Sequence, residues 1–464
     1  MFCCLLTTSV LFSQTLFAKT FGGTNWDWAQ SIVRTTDGGY AVAGWTQSFG
    51  ASSIDFLVIK LYASGGVEWA KTFQGTNDDR AYSIIQTIDG GYAIAGETYS
   101  WGVGNSDFFV LKLNSAGGLE WSRTFGGLQG ELAYSIIQTT DRGYAVAGWT
   151  WGFGAGASDF LVIKLSSSGG LEWAKTFGGP NSEEAYSIIQ TTDGGYLIAG
   201  ETRSFGVGLN DFLVIKLSSS GDLQWARTFG GTDMEYGKSI IRTTDGGYAV
   251  AGYTYTFGSN GDFLVLKLSS TGGLDWARTF GGLSTEQAFS IIQATDGGYA
   301  VAGGTYSWGG GGGDFLVLKM GSDGSYPDCV TNCSPIVTMP NLSTSSLTVG
   351  ADCNPTPNLT TSTTTTPTLT ITDVCIPVYE SVEENLGGGG FEFRATGQDI
   401  YIFMSKQAQV SLTIYDAQGR LVQKLYEGVL TSGSHTFNPK IEANGVYIAV
   451  LRYQGGMKSL KIVR

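Results

Sequence analysis

Histidine occurs once in 464 residues, at position 435 near the C-terminus. Everything upstream of it therefore lacks the base of a Ser-His-Asp constellation and any imidazole ligand for a metal. Positive charge is also short, with 27 basic residues against 40 acidic ones and a net charge of -13. No basic footprint exists for nucleic-acid phosphates, and anionic membrane surfaces are disfavoured for the same reason. Proline is scarce (9 residues), charged residues make up only 14%, and no segment carries a helical period. What remains is 42% apolar, 13% aromatic and rich in glycine, with 69 residues. This composition favours strands and tight turns, and the length allows a large core and more than one domain.

A unit of 52 residues recurs six times between Phe17 and Met320. Asp-Gly-Gly-Tyr begins at Asp37, Asp89, Asp193, Asp245 and Asp296, and at Asp141 Arg142 replaces the first glycine; the steps are 52, 52, 52, 52 and 51. A second marker, Asp-Phe, keeps the same pace from Asp55 to Asp314. Units repeating without insertions predict an array in which each buries its apolar faces against its neighbours.

One unit reads as four short strands: Leu119–Phe125, Ala133–Thr139, Tyr144–Thr150 and Asp159–Leu165. Asp141-Arg-Gly-Tyr144 supplies the hairpin between the second and third. Four strands per unit, six units long, predict an all-β chain with a six-bladed β-propeller over residues 17–325. Trp69, Trp121, Trp173, Trp225 and Trp276 recur at the start of the units, with Phe17 in the same register, and read as blade-to-blade docking residues. A degenerate seventh blade is the alternative reading of the segment that follows.

Residues 1–16 carry no charged side chain and read as a secretory signal h-region, too short for a membrane span; the alternative is a first strand. Residues 326–387 hold most of the prolines, the run Thr360–Thr366 and four cysteines, and read as a stapled linker. Cys329, Cys333, Cys353 and Cys375 predict two disulfides with three possible pairings, zinc ligation being the weaker alternative. Gly387–Gly390 is a hinge, and residues 388–464 predict a small immunoglobulin-like β-sandwich.

Two resemblances follow from these residues. The Asp-Gly-Gly-Tyr and Trp-x-(Lys/Arg)-Thr-Phe-Gly-Gly cadence is similar to repeats of predicted propellers in exported bacterial and archaeal proteins, which implies a fold. Thr413-Ile-Tyr-Asp-x-x-Gly-Arg420, Gly433-x-His435, Asn444-Gly-Val-Tyr447 and Lys461–Arg464 resemble the type A C-terminal sorting domain of the type IX secretion system. That resemblance implies a signal peptide, passage through the outer-membrane secretion machinery, and an extracellular or cell-surface location. The Pro-Asn-Pro that often opens such domains is absent here.

Without histidine, carboxylates carry any chemistry in the repeats. Asp27, Asp79, Glu131, Glu183, Glu235 and Glu286 occupy one position of all six units, and in a closed ring they would form a carboxylate circle able to hold Ca²⁺. The alternative is that each pairs with a nearby Lys or Arg, such as Arg123 or Lys175. The repeat symmetry breaks after Ala-Gly in the Tyr-initiated strand, at Trp45, Glu97, Trp149, Glu201 and Tyr253, and two places on at Trp151. Aromatics interleaved with carboxylates are the materials of a glycan-binding surface, and equally of a drifting solvent-facing strand end.

The expected role is therefore non-catalytic binding or adhesion at the cell surface by a monomeric propeller. The ligand would be a glycan or a surface protein, with no cofactor beyond Ca²⁺. A secreted glycosidase or lyase using Glu97 and Glu201, and a structural surface-layer component, are the rival readings.

Overall fold

The computed structural model describes residues 17–50, 54–258, 260–308 and 312–326, and beyond them 330–332, 336–338, 343–346, 370–373, 391–396, 399–404, 407–416, 421–440, 446–453 and 456–463. The expected signal segment, residues 1–16, and the four linker cysteines lie outside the described residues. The chain divides into two units, residues 1–374 and 375–464.

All regular structure among the described residues is β. The first unit contains six successive antiparallel sheets, built in a constant strand order. In sheet three the strands are Glu131–Gln138, Tyr144–Thr150, Asp159–Leu165 and Leu171–Gly178. The blade therefore starts one strand later than the sequence repeat suggests: the Trp-bearing strand is the fourth of its sheet. The reason lies in the turns. Ser166 and Gly170 close a tight hairpin between the third strand and the Trp strand (Ser166 N to Gly170 O, 2.8 Å), whereas Gly126–Gly130 carries the chain across to the next sheet.

First strands of adjacent sheets touch one another, whereas fourth strands do not do so to a comparable extent, so the sheets fan outward from their first-strand edges in the manner of propeller blades. Each seam is apolar. Between sheets three and four, Ala145, Ala147, Phe160, Val162 and Phe177 meet Ala185, Ile188, Tyr196, Ile198, Leu213 and Ile215. Each fully buried large side chain contributes about 2 kcal/mol on an area basis. At the seam rim the Trp ring meets the next sheet's Tyr edge-on, at 5.6 Å for Trp69–Tyr92 and Trp121–Tyr144, and 5.7 Å for Trp173–Tyr196 and Trp276–Tyr299. The same rings, together with Trp225, stand over Gly117, Gly169, Gly221, Gly272 and Gly324, where a Cβ would approach within about 3 Å. The docking role expected of the tryptophans is what the seams show.

Among the described residues sheet six has three strands, Glu286–Gln293, Tyr299–Thr305 and Asp314–Met320. The linker builds no seventh sheet among the described residues. Instead Val330–Asn332, Ile336–Thr338 and Ser343–Ser346 add a fifth strand to the outer edges of sheets five, four and three in turn. Thr370–Asp373 pairs with the N-terminal strand Lys19–Gly22.

The second unit pairs a three-stranded sheet with a four-stranded one, the sandwich expected from its sequence. Ile400, Ile402, Val410, Leu412, Ile414, Ala449 and Leu451 form its core. His435 Nε2 lies 2.8 Å from the Thr431 carbonyl oxygen.

Candidate functional site

Every first strand of the six sheets carries a bulge at one position, where register slips between residues such as Ala133 and Ser135. The unpaired residue is Gln30, Tyr82, Tyr134, Tyr186, Lys238 or Phe289, and a bulge re-aims the side chain it carries. Because first strands are adjacent, these side chains form a column: Tyr82 to Tyr134 at 5.4 Å, Tyr134 to Tyr186 at 4.9 Å, then Lys238 Nζ at 3.2 Å from the Tyr186 ring centre.

Four of the residues singled out by broken repeat symmetry meet this column. Each lies opposite the residue two before the bulge, giving the pairs Arg80–Glu97, Leu132–Trp149, Glu184–Glu201 and Tyr236–Tyr253. Glu97 is buried and accepts hydrogen bonds from Tyr82 Oη (3.1 Å) and Arg80 Nη1 (3.2 Å). Glu201 is buried and accepts from Asn210 Nδ2 (3.1 Å) and Tyr186 Oη (3.3 Å), with Lys238 Nζ at 3.7 Å. Tyr186 Oη is closer to Glu184, at 2.7 Å, so its single proton is shared between the two carboxyls. The Trp149 indole N–H is buried beside the Tyr134 hydroxyl without a full hydrogen bond. Tyr253 stacks on Tyr236 at 4.7 Å, with Lys238 Nζ 6.0 Å from its ring.

Burial raises Glu97 and Glu201 above the ordinary carboxylate range, opposed by Arg80 and Lys238 respectively. Burial lowers Lys238, opposed by Glu201 and Glu184. Tyr134, midway along the column, is pushed up to about 12 by burial and then by surrounding carboxylates. Glu201, raised to about 7, can hold a proton near neutral pH, and the arrangement offers phenol, amine and indole donors.

Trp45 holds the same register in sheet one, opposite Trp28 and two residues before the bulge at Gln30, and stacks on Trp28 (6.3 Å, interplanar 7°). Trp151 stacks on Trp149 at 5.0 Å but is 56% exposed, at the end where the long loops lie. Arg80, Tyr82, Tyr134, Glu184, Tyr186 and Lys238 were not anticipated. Their signal was present in sequence as the change from Ala-Tyr-Ser to Gly-Lys-Ser at Lys238. Strand alternation could not place it, because the bulge shifts the face.

The six repeated carboxylates sit one in each sheet. Among the described residues no three acidic, cysteine or histidine groups are placed to hold a metal. Nor do they pair with the basic residues expected: Lys175 binds Asp222 at 2.6 Å, and Arg123 lies over Trp121. Each carboxylate clamps its own sheet. Glu183 accepts from Thr202 Oγ1 and Gly179 N at 2.7 Å each, and Glu235 from Thr254 Oγ1 (2.7 Å) and Gly231 N (2.8 Å). Asp79, Glu131, Glu183 and Glu235 also face the Asp of the Asp-Phe marker in the preceding sheet. A methyl added at Gly230 would lie 1.8 Å from Asp211 Oδ1 and 2.6 Å from Glu235 Oε2, so the glycine lets the two carboxyls converge. The Oδ1 atoms of Asp159 and Asp211 are buried without a partner. Burial, and then the facing carboxylate, lift Asp107 and Asp211 to about 7; Asp159 reaches about 6.

The turn aspartates do more than close turns. Asp141 accepts from Thr139 Oγ1 and Gly143 N, and pairs with the buried Lys164 at 2.9 Å, itself held by Glu172 at 3.1 Å. The same lysine recurs as Lys60, Lys112, Lys216 and Lys267.

No protein-family model matches the chain. It is 27% identical over 192 residues to the regulatory protein FlaEY of Caulobacter vibrioides, a match taking in 36% of this chain and 19% of that protein. The chain thus spans about a fifth of the length of that curated relative. A protein of unknown function from Bacteroides caccae superposes with a TM-score of 0.36 at 12% identity, over 60% of this chain and 90% of that one. A GH43_12 protein retrieved from a capybara gut metagenome gives 0.22 at 8% identity, over 96% of this chain and 94% of that one.

Proposed function

We propose that this chain is an exported, surface-associated binding protein whose long-loop end engages a glycan or a protein surface, with the C-terminal sandwich as its export signal. The observation that supports this reading is the placement of exposed aromatics. Trp26, Tyr99, Trp151, Tyr306 and Trp308 are all exposed and all lie where first strands begin and second strands end. Leu128, Leu209 and Leu283 join them on the connecting loops. The opposite end carries the Asp-Gly-Gly turns, with Ile88 and Tyr62 exposed there and fewer aromatics. Apolar exposure gathered at one end of a scaffold marks an interaction surface, and flat aromatic rings suit sugar faces. The buried Glu97, Glu201 and Tyr253 and the half-buried Trp149 form the layer next to the column. A hydrolase using these carboxyls is the second reading, favoured by the burial-raised proton affinity of Glu201.

The test is a binding screen of the full chain against polysaccharides and surface proteins, with Ca²⁺ and with chelator, comparing wild type with Trp151→Ala and Tyr99→Ala. Binding weakened tenfold or more by either substitution, roughly the loss of one stacking contact, supports the loop end. Binding indifferent to both sinks it. Turnover of any polysaccharide, abolished in Glu201→Gln, would move the assignment to the hydrolase.

A further inference from the structure

Two β-edges are left unpaired by the same missing partner. The third strand of sheet six, Asp314–Met320, has no fourth strand beside it among the described residues. Phe315 is 99% exposed and Val317 71%, whereas their counterparts Phe263 and Val265 in sheet five are at 0% and 1%. Lys319, the sixth of the repeated strand lysines, is 46% exposed against 3% for Lys164.

The N-terminal strand Lys19–Gly22 is the other edge. Its residues Lys-Thr-Phe-Gly repeat Lys175–Gly178, the end of a fourth strand. Phe17 meets Tyr40 edge-on at 6.0 Å and faces Gly65, as Trp69 meets Tyr92 and faces Gly117. Phe21 packs on sheet one with Leu57, Ile59 and Leu61, as Phe73 packs on sheet two. The strand thus stands as a fourth strand toward the sheet that follows it.

Its outer edge is also occupied like one. Thr370–Asp373 pairs with it in the register Lys19–Asp373, Thr20–Thr372, Phe21–Ile371 and Gly22–Thr370. The fifth strand of sheet three repeats that register as Lys175–Ser346, Thr176–Ser345, Phe177–Thr344 and Gly178–Ser343. The inner edge, where a third strand belongs, carries none among the described residues.

We infer that Lys19–Gly22, extended back to Phe17, is the fourth strand of sheet six, and that its pairing along Asp314–Met320 closes the six blades into a ring within one chain. The register follows from Phe160–Phe177, Leu161–Thr176, Val162–Lys175 and Lys164–Trp173 in sheet three. It pairs Phe315 with Phe21, Leu316 with Thr20, Val317 with Lys19, and Lys319 with Phe17. Closure covers Phe315 and Val317 with the face of sheet one that carries the exposed Ile32. It also removes both open edges, each a template for aggregation if left bare. A second copy could offer the same strand, but the tether within one chain gives the local strand the higher effective concentration.

The experiment uses the full chain carrying Thr20→Cys and Leu316→Cys, treated with a short thiol crosslinker and read by peptide mapping of the monomer and oligomer bands. A 20–316 link within the monomer is expected, with Leu318→Cys in place of Leu316→Cys linking at least about tenfold less because it is two residues out of register. A 20–316 link found only in dimers or larger species overturns closure in favour of strand exchange between copies. Hydrogen exchange on the unsubstituted chain guards against a misfolded variant. Closure requires amides of 315–319 to exchange within about tenfold of those of 263–267, whereas exchange faster by about a thousandfold or more overturns it.

Discussion

Lys238 Nζ lies 3.2 Å from the centre of the Tyr186 ring, in the place where three preceding sheets put a tyrosine. The ammonium takes part in a cation–π contact and stands 3.7 Å from Glu201, which is buried. One substitution in a repeated column thus introduces an ion pair where the three preceding sheets have phenols.

Replacing that lysine tests the pair. Lys238→Met leaves Glu201 with Arg203 as the remaining cation that favours its ionised form. Breaking a buried pair strands a charge, so a stability loss of about 2–4 kcal/mol is expected at pH 8. At pH 5 Glu201 takes up a proton and the loss shrinks. Urea unfolding at both pH values decides it; equal losses would mean the lysine acts through packing alone.

The facing carboxyls at the seams set a pH dependence. Asp79, Asp107 and Asp211 are raised to about 7 and Asp159 to about 6, chiefly by burial. Between about pH 4 and these values the native state holds protons that unfolded aspartates, near about 3.9, have released. Stability from these groups is therefore greatest at the acidic end of the window and falls as pH rises toward about 7. The turn aspartates act oppositely: Asp89, Asp141, Asp193 and Asp245 are lowered to about 2, so their contribution is lost as pH falls from about 4 toward 2. From these groups a stability maximum near about pH 4 is expected in denaturant midpoints.

Asp211→Asn isolates one seam. The amide is neutral at every pH and can donate to Glu235, so the variant should match wild type near about pH 4 and exceed it at pH 8 by about 1–3 kcal/mol. A variant less stable at both values would show that Asp211 is ionised in the fold.

Arg142 has φ of 69° where the equivalent Gly38, Gly90, Gly194, Gly246 and Gly297 have φ between 81° and 85°. Nothing lies within 4 Å of a Cβ built at Gly38, Gly90 or Gly246, so the conformation itself is the strain. Arg142→Gly should raise stability by about 0.5–1 kcal/mol, measured by thermal unfolding, and the reverse change Gly194→Arg should lower it by a similar amount.

Two tryptophans separate packing from recognition. Trp121→Ala removes the ring that stands against Tyr144 and Gly169 at a seam, and should cost about 2–3 kcal/mol. Trp151→Ala, on the exposed loop end, should change stability by no more than about 0.5 kcal/mol while weakening ligand binding. Loss of both properties in one variant would deny the separation.

The repeat made the sheets readable because each blade restates the same alternation, and Tyr144–Thr150 or Asp159–Leu165 need only local pattern to be recognised as strands. The phase of the blade was not readable. Gly-Gly after Phe125 and the turn at Ser166–Gly170 both look like turns, and only pairing shows which joins neighbours in one sheet and which crosses between sheets. Glu97, Trp149, Glu201 and Tyr253 stood out because they vary where the rest is constant. Tyr82, Tyr134, Tyr186 and Lys238 did not, because the bulge takes them out of the two-residue alternation.

The sequence by itself determined the all-β class, six units, the seam tryptophans and the C-terminal sandwich, since all of these follow from periodicity and local turn chemistry. Tertiary structure alone decided what the repeated carboxylates do. Glu183 and Asp159 are distant in the chain, and whether a buried acid meets an arginine, a cation or another acid depends on which sheets stack and on the glycine between them. Charge in a protein interior is set by neighbours in space, and a sequence does not order residues by that distance.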